Sequence, residues 1–294
     1  MGPPGPGSFS GILRRMAGGA VGILVLLGAL SMVLSPSLAE HFVFFPGRTD
    51  PGPAPLLAGV EGKDILLTPP GGPTIHGWWH EAGQGAPAVL LLHGNAGTIA
   101  ERTPLAQAYL GRGISTFMLD YRGYGRSEGS PSEEGVYEDA ETALDFVVAR
   151  AGSPERVVVH GRSLGGSVAA QVVRRREVAG LILDSTFTSL DQMGRAAYPF
   201  LPGFVFRRLR GHFDTLGAVR EIRFPLLVIH GTEDRLVPFG MGLDLFESAP
   251  GSSEWHPVEG AGHNDLLLVG GEDYFDRLGR FVMRVVGDDP HPDR

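Results

Sequence analysis

Short apolar runs alternate with longer mixed segments along most of this chain. Residues 88–92, 114–119, 156–159, 181–183 and 226–229 are rich in Val, Leu and Ile. They show no regular polar alternation, as expected of strands buried on both faces. Between them, residues 99–111, 133–150, 165–175 and 240–248 read as helices. Earlier, residues 64–68 and 74–79 flank a Pro/Gly turn at 69–73 and predict an antiparallel hairpin, and residues 254–258 predict a late strand. Strands alternating with helices imply βαβ units, hence an α/β fold with a mostly parallel central sheet flanked by helices. In such sheets ligands sit beyond the carboxyl ends of the strands. Residues with chemistry to offer stand at those ends: His93-Gly94-Asn95, Asp120, His160-Gly161 with Ser163, Asp184, and His230-Gly231 with Asp234. No repeat of fixed period is present.

The first sixty residues follow a different pattern. Residues 16–34, a stretch of 19, carry no charge and match the length of a membrane-spanning helix. Arg14 and Arg15 precede them and Glu40 follows. This asymmetry predicts a single-pass anchor with residues 1–15 as a disordered cytoplasmic tail and the rest on the extracytoplasmic side. The alternative is a secreted protein whose signal peptide is cleaved near Ala39, after Ser37-Leu38-Ala39. The apolar stretch is longer than a usual signal core, which favours the anchor. Residues 35–59 read as a linker. Within it, Phe42-Val43-Phe44-Phe45-Pro46 suits either the membrane interface or packing on the domain, and residues 48–59 are rich in Pro and Gly. The folded domain is expected over 60–286, with a disordered tail at 287–294.

Composition narrows the chemistry. The 294 residues suffice for one substantial domain. The net charge of -8 gives no case for nucleic-acid binding. The absence of cysteine excludes disulfides, thiolate catalysis and Cys-ligated metals. No histidine pair has ligand spacing with an acidic partner, so no metal is expected. No G-x-G-x-x-G follows the first strand, which argues against a dinucleotide, and no cofactor is expected.

Gly161-Arg162-Ser163-Leu164-Gly165 joins an apolar run to a small-residue helical run. G-x-S-x-G at a strand-to-helix turn is the nucleophile-elbow pattern: glycines admit the tight turn, and the serine stands at a helix N-terminus. A serine hydroxyl is a weak nucleophile and needs a base and a group that orients the base. Asp234, in a turn before Leu236-Val237-Pro238, and His263, between Gly262 and Asn264, follow in the order acid then base. Asp184, at another strand end, is the second candidate for the acid. The oxyanion of a tetrahedral intermediate needs two N–H donors. The backbone N–H of Leu164 supplies one and that of Asn95 the other, unless Asn95 serves only to cap the next helix. His93, His160 and His230 each precede a glycine at a strand end and read as structural, and His76 and His80 as surface or packing residues.

These motifs together resemble the α/β-hydrolase fold family, in its Bem46-like, serine aminopeptidase (S33-type) subgroup. The resemblance is carried by Leu90-Leu91-Leu92-His93-Gly94-Asn95-Ala96-Gly97, by Asp120-Tyr121-Arg122-Gly123-Tyr124-Gly125-Arg126-Ser127-Glu128-Gly129 with Pro131-Ser132-Glu133-Glu134-Gly135 after it, by the Ser163 pentapeptide, by His230-Gly231-Thr232-Glu233-Asp234 and by Gly262-His263. It covers most of residues 60–286. It implies a Ser163–Asp234–His263 triad acting on esters, thioesters, lipids or peptides, and makes an uncleaved N-terminal anchor the expected reading. Residues 185–223 are then a short helical lid. Its Tyr198, Phe200 and Phe204 are candidates for substrate contact, and the Arg207-Arg208-Leu209-Arg210 cluster beside them suits an anionic surface. The expected activity is a serine hydrolase on acyl esters or thioesters, lipid substrates among them. A peptidase using the same triad is the alternative, and a non-catalytic binding protein on this scaffold a remote one.

Overall fold

The apolar runs are the strands of one sheet. The computed structural model describes residues 43–288, and the predicted anchor at 16–34 lies outside them. Among the described residues no helix is long and apolar enough to cross a membrane. The chain enters through a two-residue strand, β1 (Phe45–Pro46), and continues into β2 (Gly62–Leu67), β3 (Ile75–His80), β4 (Ala88–Leu92) and the short β5 (Ala96–Gly97). Helix α1 (Thr103–Leu110), β6 (Ser115–Asp120), α2 (Glu133–Ala151), β7 (Val157–Arg162) and α3 (Leu164–Val173) follow. Then come β8 (Gly180–Asp184), α4 (Leu190–Ala197), α5 (Thr215–Val219), β9 (Leu226–Gly231), α6 (Phe239–Ser248), β10 (Ser253–Val258) and α7 (Leu266–Val285). The main sheet runs β10-β9-β8-β7-β4-β6-β3-β2. Only β2 and β3 break the parallel order: β2 pairs antiparallel with β3, and β3 with β6.

Two cores explain why the strands lack polar alternation. Ala88, Leu90 and Leu92 of β4 join Phe117, Leu119, Val157, Val159, Leu181 and Leu183 under α2, α3, α5 and α6. The intervening Val89 and Leu91 join Met118, Val158, Ile182, Leu227 and Ile229 under α1 and α7. Each strand therefore presents an apolar row to both faces. Helix α2 is bounded as its ends dictate: Ser132 accepts from the Gly135 N–H at 3.1 Å, Glu133 and Glu134 lie in the first turn, and Gly152 closes it at φ 87°. The predicted helix over 99–111 begins as a 3-10 turn, Ile99–Arg102, with a Thr98–Glu101 capping box, before α1 takes over. No helix was expected where α7 lies. Gly270-Gly271 interrupts its pattern, and the helix is kinked at Gly271.

Residues 43–59 are packed onto the domain rather than spanning free space as a linker. Phe44 is buried against Phe213, ring centroids 6.0 Å apart, and Leu57 is buried as well. Strand β1 lies parallel to β5, the Ala54 N–H donates to Asp64 Oδ2 at 3.1 Å, and His80 Nε2 donates to the Pro55 carbonyl at 2.9 Å. The lid between β8 and β9 is short and helical, as expected. Its α4 packs on a 3-10 turn (Gly203–Leu209), while α5 already belongs to the layer covering the sheet. Glu133 at the start of α2 accepts from the Phe213 N–H and the Tyr137 hydroxyl, which ties the lid's second half to the domain.

Candidate active site

Ser163 sits between the end of β7 and the start of α3 at φ 53° and ψ -118°, a conformation that side-chain-bearing residues rarely adopt. Strain of this kind costs about 1–3 kcal/mol and persists where the surroundings over-determine it. Here they do. The Ser163 N–H donates to the Asp184 carbonyl at 2.8 Å. A Cβ on Gly161 would overlap the Gly165 carbonyl, and one on Gly165 would overlap the Leu92 carbonyl. Both flanking glycines are therefore required by close backbone approach, as the motif predicts.

Two backbone donors belong to residues that line the serine's cavity. Leu164 is the first residue of α3, so its N–H has no intrahelical partner. The N–H of Asn95 donates to no backbone acceptor among the described residues. Its loop follows β4 and runs against the elbow, a Cβ on Gly94 lying 3.5 Å from Cβ of Ser163. The Asn95 side chain caps no helix; Thr98 does that. Asn95 Nδ2 instead donates to the Val43 carbonyl at 3.2 Å, and the Asn95 carbonyl accepts from the Phe45 N–H at 2.9 Å and the Tyr124 hydroxyl at 2.8 Å.

Asp234 and His263 come together as the sequence predicts. His263 Nδ1 donates to Asp234 Oδ2 at 2.7 Å, so Nε2 is the acceptor nitrogen of the neutral imidazole. Oδ1 of Asp234 accepts from the backbone N–H groups of Leu236 at 2.9 Å and Val237 at 2.8 Å. Burial alone would raise this carboxyl, but the bonds from His230 and His263 outweigh it and hold the acid well below the usual carboxylate range. His230 Nε2 lies 3.0 Å from the Val237 carbonyl and 3.4 Å from Asp234 Oδ2, so this buried histidine supports the acid's turn. The Ser163 hydroxyl itself makes no hydrogen bond among the described residues. Catalytic hydrogen bonds are often long without substrate. The serine and histidine loops are joined next door, where Arg162 Nη2 donates to the His263 carbonyl.

Asp184 is engaged elsewhere. Its Oδ2 accepts from the Tyr274 hydroxyl at 2.6 Å and lies 3.7 Å from His160 Nε2 and 3.9 Å from Arg162 Nε. Burial opposes its ionisation, yet His160, Arg162 and Tyr274 together bring it down to about 2. Behind the Asn95 loop lies a second buried acid. Burial pushes Asp120 up to about 7 despite its bond from the Ile99 N–H, and burial also takes His93 down to about 3. His93 Nδ1 donates to the Gly94 carbonyl at 2.6 Å, and its Nε2 lies 3.6 Å from Asp120 Oδ1. His93, His160 and His230 each have a partner inside the fold. His76 and His80 are fully buried packing residues.

A cavity of about 150 Å³ opens at Ser163, Leu164 and Asn95. Its walls are apolar: Phe187, Leu190 and Met193 from the lid, Leu236 and Val237 from the Asp234 turn, and Val43. Tyr198, Phe200 and Phe204, expected to contact substrate, do not line it. They are 46%, 70% and 58% exposed on the lid's outer side. Helix α4 ends at Ala197, and Pro199 and Pro202 then carry the chain outward, where Tyr198 and Phe200 pack edge to face on each other. Sequence reasoning missed Phe187, Leu190 and Met193, which look like ordinary helix-start residues, and it missed Val43 and Arg162. For Arg162 a signal existed, since it occupies the variable position just before the serine.

Comparison with known proteins places the chain in a family and a fold. The serine aminopeptidase, S33, family matches residues 84–217. The uncharacterised protein Rv2307c of Mycobacterium tuberculosis is 35% identical over 271 residues, covering 90% of this chain and 94% of that protein. Protein bem46 of Schizosaccharomyces pombe is 32% identical over 208 residues, 69% of each. The solved esterase Pf2001 of Pyrococcus furiosus shares the fold with a TM-score of 0.70 at 23% identity, over 83% of this chain and 98% of that one.

Proposed function

From the premise that this chain belongs to the Bem46-like family of α/β-hydrolases, we propose that it is a serine hydrolase cleaving carboxylic esters or thioesters through an acyl-enzyme. The observation that carries the reading is the convergence of a strained, unpaired serine, two free N–H groups and an apolar cavity next to a His263–Asp234 pair. Ser163 Oγ attacks the carbonyl carbon while His263 Nε2 takes its proton. The carbonyl oxygen becomes an oxyanion facing the N–H groups of Leu164 and Asn95. Collapse expels the alcohol or thiol, which leaves with the proton held by His263. Water then attacks the acyl-serine by the same route and releases the acid.

The cavity supports an acyl substrate. An apolar wall of Phe187, Leu190 and Met193 suits an acyl chain, whereas a substrate ammonium there would lose its water without gaining a counter-charge. A volume of about 150 Å³ matches a benzene-sized group, so an acyl group of about six carbons fills it and a longer chain continues outward past the exposed Leu236. We also propose that residues 16–34 anchor the chain in a membrane, with the hydrolase domain on the extracytoplasmic side. Val43 lines the cavity only eight residues, 35–42, beyond that run, a reach of at most about 30 Å. The outward Tyr198, Phe200 and Phe204 beside Arg207 and Arg210 suit a lipid surface.

The test is hydrolysis of p-nitrophenyl esters of increasing acyl length, alongside aminoacyl anilides, by the full chain and by Ser163→Ala. Ester turnover peaking at medium chain length and abolished in Ser163→Ala is expected. Turnover that survives the substitution overturns the reading, and anilide turnover alone makes the protein a peptidase.

A further inference from the structure

Residues 43–47 do more than connect the domain to what precedes it. They run beside the loop that carries the Asn95 N–H and bond to it along its length. Asn95 Nδ2 donates to the Val43 carbonyl at 3.2 Å, and the Phe45 N–H donates to the Asn95 carbonyl at 2.9 Å. Phe45 and Pro46 then pair in parallel register with Ala96 and Gly97. The far end is pinned by the Gly125 N–H, which donates to the Gly47 carbonyl at 2.8 Å. The near end is pinned by Phe44, buried on Phe213 from the lid's second half. A loop held on one side by Tyr124 and Arg102 is thus held on the other by this segment.

We propose that residues 43–47 are a strap that positions the Asn95 loop as an oxyanion donor, so that the segment following the apolar run sets the efficiency of the site. This rests on the hydrolase reading above. The physical argument is that an oxyanion donor acts only when pre-aligned: a donor that must reorganise during the reaction loses its advantage. The strap fixes the peptide on the carbonyl side of Asn95, and therefore the plane in which the loop can swing. Its contacts reach neither the leaving group nor most of the acyl wall, so loosening it should weaken transition-state stabilisation more than substrate binding. Asn95 and Phe44 are positioning residues here through their side chains, distinct from the Asn95 backbone donor.

Two substitutions in the full chain test the idea, with p-nitrophenyl butyrate as substrate and amide hydrogen exchange as an independent readout. Asn95→Ala removes the bond to Val43 and keeps the backbone N–H and carbonyl of residue 95. It should lower kcat by about tenfold or more, leave KM within about twofold and cost no more than about 4 °C in melting temperature. Exchange across residues 94–98 should rise while α2 and α3 stay protected. Phe44→Ala should have the same local signature and Phe44→Leu should restore it. The strap is refuted if Asn95→Ala leaves both kcat and the exchange of 94–98 at wild-type levels. It is equally refuted if kcat falls only together with global protection, since the segment then merely stabilises the fold. If the wild-type chain has no Ser163-dependent turnover, the hydrolase reading fails, and local exchange alone decides whether the strap holds the loop.

Discussion

Replacing Asp234 by Asn should cost far more activity than stability. The carboxylate faces four N–H groups, two on each oxygen. Oδ1 receives two backbone N–H groups at 2.9 and 2.8 Å, and Oδ2 receives His263 at 2.7 Å with His230 at 3.4 Å. An asparagine keeps its oxygen where the two N–H groups point, because flipping the amide would set donor against donor twice. Its NH₂ then faces His263 Nδ1 and requires that nitrogen to accept. The proton moves to Nε2, the atom that must take the proton of Ser163. A wrong tautomer of this kind lowers kcat by about 10⁴ in a well-studied serine protease triad, or roughly 5.4 kcal/mol at about 1.36 kcal/mol per decade. Asp184 offers no rescue, since its Oδ2 is committed to Tyr274 at 2.6 Å inside the fold. The assay is kcat on p-nitrophenyl butyrate for wild type, Asp234→Asn, Asp184→Asn and Ser163→Ala, with thermal melting to confirm folding. Asp234→Asn retaining about a tenth or more of wild-type kcat, against the loss set by the tautomer, refutes the assignment. It fails most clearly if Asp184→Asn then loses more.

Two further outcomes follow from the same structure. Asp120 carries a raised carboxyl, about 7 against 3.8 when unfolded, so the stability it contributes is full below pH 3.8 and is lost as pH rises through 7. His93, down at about 3 against 6.5, works the other way and loses its contribution as pH falls below 6.5. Asp120→Asn removes the first dependence alone, so its melting temperature relative to wild type should rise between pH 5 and pH 8; a flat difference would contradict the buried-acid account. In the lid, Met193→Trp should fill the cavity and shorten the preferred acyl chain. Excluding about four methylenes at roughly 0.8 kcal/mol each predicts a loss near 10²-fold in kcat/KM for hexanoyl esters with acetyl esters little changed, and equal losses on both would show that Met193 does not border the acyl group.

Legibility in the sequence tracked how local each determinant is. The strands were readable because each presents apolar side chains to both faces, as Val158 does to one core and Val159 to the other. The elbow was readable because its constraint is covalent and near: Gly161 and Gly165 are excluded from any Cβ by backbone within a few residues or on the adjoining strand. Asp184 and Asp234 illustrate the opposite case. Both follow buried strands and both fit the chain order, and only the turn around Asp234 and its resemblance to the family motif put it first. What separates them is Tyr274 on α7, ninety residues beyond Asp184, which takes the carboxylate that His263 does not.

The strap carries that reasoning one step further. Phe42-Val43-Phe44-Phe45-Pro46 is equally at home in a membrane interface or in a protein core, and nothing within the segment decides between them. Phe213 decides it for Phe44, and the Asn95 loop decides it for Val43 and Phe45. Of the three, Phe44 is buried while Phe45 is 55% exposed, so the segment has one face on the domain and one face free. If residues 16–34 anchor the chain as proposed, a stretch with that division would lead from the anchor to the cavity wall at Val43. Tension or reorientation at its N-terminal side would then reach the Asn95 loop through two hydrogen bonds and a β-pair. The bulk of the domain, built on β4 and β6–β9, would stay unmoved.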